Sequence, residues 1–131
     1  MLEQLAKLIG ADQVADDAET LAAHRFDRWC LKHWQAWRGE GMSTAACVVR
    51  PRHTNDVQAV VRYAQKNDIP IVPWGLGSGV CGGIEPTDEQ ILMDMSAMDQ
   101  VLAIDEENLL LTVEAGINGL VAEEAVAAVG L

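Results

Sequence analysis

The second half of the chain lacks basic side chains: no lysine or arginine lies between Ile69 and Leu131. Over the whole sequence, 9 basic residues are outnumbered by 20 acidic ones, and the formal net charge is −11. A surface of this sign repels polyanions, so nucleic acids and anionic membranes are not expected partners.

Cysteines are few and do not form a recognisable pattern. The 3 cysteines, Cys30, Cys47 and Cys81, are widely spaced and contain no CxxC motif. This spacing argues against a disulfide framework and a cysteine zinc site, and it predicts reduced thiols in a cytoplasmic protein. The 3 histidines are isolated from one another, so no metal site is predicted.

Long apolar runs are also missing. The N-terminal stretch Met1–Gly10 contains both Glu3 and Lys7, which is typical of neither a signal peptide nor a membrane anchor. No internal repeat or low-complexity segment is present. A chain of 131 residues with 50% hydrophobic residues has the size of a single globular domain with a real core.

Residues 1–44, which we call the lead-in, are predicted to be largely helical. Apolar residues recur at helical spacing over Leu2–Ile9 and are followed by a glycine placed as a C-terminal cap. Further along, Trp29, His33 and Trp37 lie four residues apart and would share one face of a helix. This pattern favours a packed face over a ligand site.

From Ala45 onward the sequence predicts a strand, a helix and a second strand. The apolar run Ala45–Val49 is typical of a strand. Thr54 is predicted to be the N-cap of a helix that ends near Asp68. Ile69–Pro73 returns the chain to an extended conformation, and the two strands are predicted to be parallel with a right-handed crossover.

The remaining segments complete a small domain over residues 45–131. Ile91–Met95 is predicted to be a buried strand, and strands from Val101 and over Leu109–Glu114 are predicted to form a hairpin. A last helix is predicted after Asn118. The fold class is therefore α/β or α+β, with helices flanking a small mixed sheet.

Residues Pro73–Gly83, which we call the glycine segment, contain five glycines directly after an apolar run. Glycine at this density predicts positive φ angles or a close approach that a Cβ would block. Successive backbone N–H groups that face one way form a concave anion site, which binds phosphate without any cationic side chain. A phosphate-bearing ligand is the resulting hypothesis.

The glycine segment also satisfies the GxGxxG pattern of a Rossmann NAD-binding domain over Gly77–Gly82. That site requires the glycines to open a helix whose N-terminus meets the pyrophosphate. Pro86 and the absence of an amphipathic run after Gly83 argue against such a helix. The NAD-binding hypothesis is therefore a minor alternative.

Five features follow one another in order across residues 45–131. They are VVRP at 48–51, the helix after Thr54, IPIVPWGLGSG at 69–79, MDMSAM at 93–98 and VEAGI at 113–117. Together they resemble FAD-linked oxidases of the vanillyl-alcohol oxidase type. The resemblance implies the first subdomain of a PCMH-type FAD-binding domain, preceded by the lead-in.

Within that superfamily, IDEENL at 104–109 and VEAGING at 113–119 are most similar to the branch containing alkyldihydroxyacetonephosphate synthase. The tryptophan-rich stretch before Arg38 is similar to the lead-in of its bacterial relatives, and D-lactate or glycolate dehydrogenase subunits are a close second. The resemblance implies part of a flavin-dependent oxidoreductase acting on a hydroxy acid or a similar small substrate, or of a synthase-like enzyme. Oxidation and redox-neutral alkyl exchange both stay open.

The resemblance also implies which residues contact the cofactor. The backbone of the glycine segment would wrap the FAD pyrophosphate, and the turn at Gly116 would approach the cofactor, although many relatives have proline where this chain has Ala115. Ser78 stands near the position of the flavin-linking histidine of covalent relatives, which implies non-covalent FAD. The candidate cofactor-binding residues are Pro73, Trp74, Gly75, Leu76, Gly77, Ser78, Gly79, Gly82, Gly83 and Gly116.

No acid, base or nucleophile in the chain is identified as catalytic. Asp94, Asp105 and Glu114 are predicted to be turn and strand-edge residues. Relatives continue with a second half of the FAD-binding domain and a cap domain, so the chain is expected to be an N-terminal part that meets the rest of a flavoenzyme. The non-enzymatic alternative is an assembly module or inactive fragment whose exposed apolar surface favours self-association.

Overall fold

A computed structural model describes residues 1–131 as a mixed α and β chain with two sheets. A 3₁₀ turn at Ala11–Gln13 follows the first helix. The elements are α1 (Leu2–Ile9), β1 (Val14–Ala15), α2 (Ala18–Ala23), α3 (Cys30–Trp37), β2 (Cys47–Val49), α4 (Thr54–Asn67), β3 (Ile71–Trp74), β4 (Ile91–Asp94), β5 (Val101–Asp105), β6 (Leu110–Val113) and α5 (Gly119–Ala127). None of these helices is long and apolar enough to cross a membrane.

The larger sheet has the strand order β1-β2-β4-β3. Strands β2, β4 and β3 are parallel, and β1 pairs antiparallel with β2. The predicted parallel direction of the strands on either side of α4 is confirmed, but their predicted pairing was wrong, because β4 inserts between them. Every residue of β4 is buried, as expected for the central strand of a parallel sheet.

Both faces of this sheet are covered, so alternate residues of β2 and β4 enter different cores. The core against α1 and α4 contains Leu5, Ile9, Cys47, Val49, Val60, Ala64, Ile91 and Met93. The opposite face carries Ala45, Val48 and Leu92, with Leu21 of α2 and Trp74 packed against them. Burial raises the pKa of the Cys47 thiol to about 11, so this cysteine stays protonated inside the core.

Helix α4 covers the first face and has defined ends. The Asp56 carboxylate accepts hydrogen bonds from the N–H groups of Arg52 (3.0 Å) and His53 (3.2 Å) just before the helix. His53 is therefore the N-cap, and the prediction of Thr54 as the cap was wrong by one residue. Asp68 is the C-cap of this helix and takes the left-handed conformation with φ 53°.

The predicted hairpin is present as β5 and β6, but it forms a separate two-stranded sheet and does not extend the larger one. Asp105 holds its turn by accepting from the backbone N–H (2.9 Å) and side-chain amide (2.8 Å) of Asn108. Helix α5 follows after Asn118, whose side chain accepts from the Leu120 N–H at 2.9 Å. The hairpin and α5 leave several leucines exposed.

We predict that the lead-in is an integral part of the fold. Leu5 is 0% exposed in the main core, whereas Leu8 on the same helix is 49% exposed. Leu5→Ala should lower the free energy of unfolding in urea by about 3 kcal/mol, because it leaves a buried cavity. Leu8→Ala should change it by less than about 1 kcal/mol. Equal effects of the two substitutions would contradict this assignment.

Candidate functional site

The candidate site lies at the carboxyl edge of the parallel strands. The glycine segment overlaps the end of β3 and follows it, Asp94 is the last residue of β4, and Arg50 follows β2 directly. In open parallel sheets this edge is where ligands bind, because the connecting loops leave a crevice there. The fold thus brings the predicted loop to a suitable place.

The backbone donors of the glycine segment are free. No N–H group from Gly75 to Gly82 donates a hydrogen bond to another protein atom. The run ends at Gly83, whose N–H donates to the Asp27 carboxylate at 3.1 Å. Unpaired consecutive donors at a loop form the kind of concave anion site that suits a phosphate. The N–H groups from Gly75 to Gly82 are therefore available to an acceptor outside the chain.

Asp27 of the lead-in holds the glycine segment in place. This carboxylate is 3% exposed, and it accepts hydrogen bonds from the N–H groups of Gly83 and of Trp29, the latter at 3.0 Å. The neighbouring Arg28 N–H donates to the Gly79 carbonyl oxygen at 2.8 Å. These hydrogen bonds were not predicted from the sequence, because Asp27 lies 56 residues from Gly83 and belongs to no periodic pattern.

The rings of Trp74 and Trp29 pack closely against the backbone of the glycine segment at Gly77 and Gly82. A Cβ at Gly77 would lie 2.3 Å from the Trp74 ring, and this residue has φ +63°. Only glycine fits such a position without strain. The Trp29 ring packs in the same way at Gly82. The predicted shared face of Trp29, His33 and Trp37 is not formed, since Trp29 precedes α3 and Trp37 is 83% exposed.

Gly116 lies beside the same edge. A Cβ there would come 1.9 Å from the Met95 carbonyl oxygen, and the Gly116 N–H donates to the Met98 oxygen at 2.9 Å. A Cβ at Gly75 would lie 3.6 Å from the Ala115 oxygen. The turn that contains Gly116 is therefore adjacent to the start of the glycine segment, and glycine is required at 116 by close packing against Met95 and Ser96, which follow β4.

The candidate residues differ in exposure. Gly77 and Gly116 are buried, Trp74, Gly75 and Gly82 are half-buried, and the others are exposed; these are Pro73, Leu76, Ser78, Gly79 and Gly83. The structure thus brings the loop residues and Gly116 together on one edge. No three histidine, cysteine or acidic side chains form a set of metal ligands.

Asp94 was predicted to be a turn or strand-edge residue, but in the structure it is a buried hydrogen-bond acceptor. It is 1% exposed, and it accepts hydrogen bonds from Arg50 Nε at 2.7 Å, His24 Nε2 at 3.2 Å and the Ser96 N–H at 2.9 Å. The His24 ring also lies against Trp74, with 4.8 Å between ring centroids. These contacts of His24 were not predicted from the sequence.

Asp94 and His24 shift each other's pKa. Burial alone would raise the pKa of Asp94, but hydrogen bonds from His24, Ser96 and Arg50 outweigh it and lower the pKa well below its usual range. The hydrogen bond to Asp94 raises the pKa of His24 in spite of its partial burial. His24 Nδ1 also lies 2.8 Å from the Thr20 carbonyl oxygen. Both ring nitrogens face acceptors, which favours the protonated ring.

The NAD-binding alternative fails on the local fold. It requires a helix that begins within the glycine segment, but no helix lies between Gly83 and β4. The segment instead runs as bends and irregular backbone to Ile91. Its glycines serve a loop and do not open a helix.

Comparison with known protein families agrees with this geometry. The FAD binding domain family matches residues 45–131. The chain belongs to this family. Its cofactor is therefore FAD, and the free N–H groups of the glycine segment fit the cofactor's pyrophosphate.

Individual relatives support the same assignment. This FAD-binding chain is 38% identical over 84 residues to the glycolate oxidase subunit GlcD of Bacillus subtilis (strain 168), a match that covers 64% of the chain and 18% of that protein. A solved structure of alkyldihydroxyacetonephosphate synthase superimposes with a TM-score of 0.87 at 26% identity, covering 98% of the chain and 24% of the synthase.

A structure of p-cresol methylhydroxylase with substrate bound shares the fold at a TM-score of 0.78 and 19% identity, covering 99% of the chain and 24% of the hydroxylase. The predicted PCMH-type fold is thus confirmed. The chain spans no more than about a quarter of the length of these three proteins.

We predict a pH dependence of stability from the His24–Asp94 pair. The folded state binds the His24 proton more tightly than the unfolded chain, whose histidine pKa is near 6.5. The resulting stabilisation is complete below that pH and is lost as the pH rises through the higher folded-state pKa. The free energy of unfolding should therefore fall as the pH rises above about 6.5, and the fall should be smaller in His24→Asn.

His53→Asn is the matched control, since it removes a histidine outside this cluster and should keep the slope. Urea denaturation at a series of pH values measures all three proteins. Parallel profiles for wild type and His24→Asn would show that the pair does not act in this way. The lowered pKa of Asp94 adds a separate loss of stability as the pH falls below about 3.8, the value for an unfolded carboxyl.

Proposed function

We propose that the glycine segment binds the pyrophosphate of FAD non-covalently through its backbone N–H groups. The observation that supports this proposal is the run of unpaired donors from Gly75 to Gly82. The loop is held by Asp27, Trp29 and Trp74, so these donors are positioned before the ligand arrives. Non-covalent binding is favoured because Ser78, and no histidine, occupies the segment.

The glycines and Ser78 have different roles in this proposal. The small residues Gly75, Gly77 and Gly79 let the pyrophosphate approach the backbone, and Ser78 adds a hydroxyl donor. Gly82 and Gly83 carry the chain past the cofactor, while Gly116 lets the turn after β6 approach it. The flavin supplies the redox chemistry when it is bound, and this chain's residues bind and orient it.

The whole protein is proposed to be a flavin-dependent oxidoreductase acting on a hydroxy acid or similar small substrate, or an alkyldihydroxyacetonephosphate synthase-like enzyme. Its similarity to the glycolate oxidase subunit GlcD and to alkyldihydroxyacetonephosphate synthase supports these two classes. Residues 45–131 are proposed as the first subdomain of the FAD-binding domain and residues 1–44 as its lead-in. A cytoplasmic location is proposed because Cys30 and Cys81 are exposed and unpaired.

The first test is a titration of the purified chain with FAD, followed by flavin fluorescence. Saturable quenching is expected for FAD and not for riboflavin, which has no phosphate. Gly77→Ala should weaken FAD binding about tenfold or more, because the positive φ and the Trp74 ring exclude a Cβ. Gly41→Ala, where no atom lies within 4 Å of the new Cβ, is the control and should bind like wild type.

Equal binding of FAD and riboflavin, or no effect of Gly77→Ala in a folded protein, would contradict pyrophosphate recognition by this loop. Circular dichroism of both variants establishes that they are folded.

A second candidate function is assembly with further protein, either the rest of a flavoenzyme or a second copy. The apolar side chains of β5, β6 and α5 favour it. Leu102 and Leu110 are each 61% exposed, Leu109 is 70% exposed and Leu120 is 68% exposed. A groove of about 340 Å³ in this region is lined only by Ile104, Leu109, Leu110, Leu111, Val126 and Leu131. Apolar surface of this kind is typical of an interface.

We predict that the isolated chain self-associates through the hairpin. Leu110→Glu should shift the population toward monomer in sedimentation equilibrium, because a charge in an apolar contact is costly. Leu8→Glu places the same charge on α1, where Leu8 is 49% exposed, and should leave association unchanged. A wild-type chain that stays monomeric at all concentrations would contradict self-association.

A further inference from the structure

Arg25 and Arg28 lie in the turn between α2 and α3, beside the glycine segment. They line a cavity of about 370 Å³. Asp27, His33, Trp74, Leu76 and Gly77 also line this cavity. The lead-in thus brings two guanidinium groups to a segment that has no basic residue in its own half of the chain.

Neither arginine is neutralised within the protein. In a chain with 20 acidic residues, no carboxylate oxygen lies within 4.0 Å of either guanidinium group, although four other cationic side chains and His24 do form ion pairs. Arg25 is only partly exposed, and its guanidinium carbon lies 4.9 Å from the Phe26 ring centroid. Neither guanidinium donates a hydrogen bond to a protein acceptor.

The one acidic residue that lines this cavity, Asp27, offsets only part of their charge, because two guanidinium groups and one carboxylate leave the lining net positive. The Asp27 carboxylate is already occupied by the N–H groups of Trp29 and Gly83. The cavity therefore contains two unpaired cations next to unpaired backbone N–H groups. Such a combination attracts an oxyanion, and charge-assisted hydrogen bonds from arginine to phosphate are stronger than those from neutral donors.

We propose that Arg25 and Arg28 form the cationic wall of a phosphate site that is shared with the glycine segment. This inference rests on the proposed FAD function and extends it, since it assigns to the lead-in the positive charge that residues 69–131 lack. The phosphate belongs either to the dinucleotide pyrophosphate or to a separate phosphate-bearing molecule held beside it.

The test compares wild type with Arg25→Gln, Arg28→Gln and the double variant. Arg62→Gln is the matched control, because Arg62 lies exposed on α4 and is also outside any ion pair. Each single substitution in the cavity should weaken FAD binding about tenfold, the usual effect of losing a hydrogen bond from a charged group. Arg62→Gln should have no effect, and Arg→Lys variants at the two cavity positions should recover part of the loss.

Inorganic pyrophosphate is the second probe, added at constant ionic strength while the melting temperature is followed. It should stabilise wild type and Arg62→Gln and have little effect on the double variant. Competition between pyrophosphate and FAD assigns the site to the dinucleotide pyrophosphate. Additive stabilisation by the two ligands assigns it to a separate phosphate.

The possible failures are distinguishable. If FAD binds equally to wild type and the double variant, the arginine site is wrong and the FAD function stands. If pyrophosphate acts through the two arginines but FAD adds nothing over pyrophosphate, the anion site stands and the FAD function fails. If neither ligand affects wild type, both are overturned.

Discussion

The buried carboxylate of Asp94 is the interaction on which the rest of this structure depends. It ends the central strand, and its three hydrogen-bond donors come from the lead-in (His24), from the residue after β2 (Arg50) and from the turn after β4 (Ser96). A charged group inside a protein is stable only when it is paired and hydrogen-bonded, and loss of a partner costs several kcal/mol. Asp94 therefore joins the lead-in to the strand edge that carries the glycine segment.

The lead-in also gives the loop a defined shape while the N–H groups from Gly75 to Gly82 stay unpaired. Asp27 accepts from the last N–H of the segment, and Trp29 and Trp74 occupy the space that side chains at Gly82 and Gly77 would need. Folding thus orders the loop in advance, so a ligand does not meet the full entropic cost of immobilising it. The segments that do this ordering lie partly outside the stretch that matches the family, because Asp27 and Trp29 belong to residues 1–44.

The sequence predicted those features that depend on local patterns. Helical spacing indicated α1 and α4, the turn before Leu109 indicated the hairpin, and the glycines indicated a backbone anion site. The position of β4 between β2 and β3 was not predictable, since three short and largely apolar strands carry no information about their order. Asp94 was misread because its partners His24 and Arg50 lie 70 and 44 residues away, and the roles of Asp27 and Arg28 depend on similar distant contacts.

The edge strand β3 affects whether a strand of another chain can add to the larger sheet. The carbonyl oxygens of Pro70 and Trp74 accept from β4, so Pro73, between them, faces the free edge of the sheet and offers no N–H there. The opposite edge is closed by β1, which is only two residues long. Neither edge of the larger sheet is a good template for another strand, so strand addition to this sheet is disfavoured even though apolar side chains elsewhere remain open to contact.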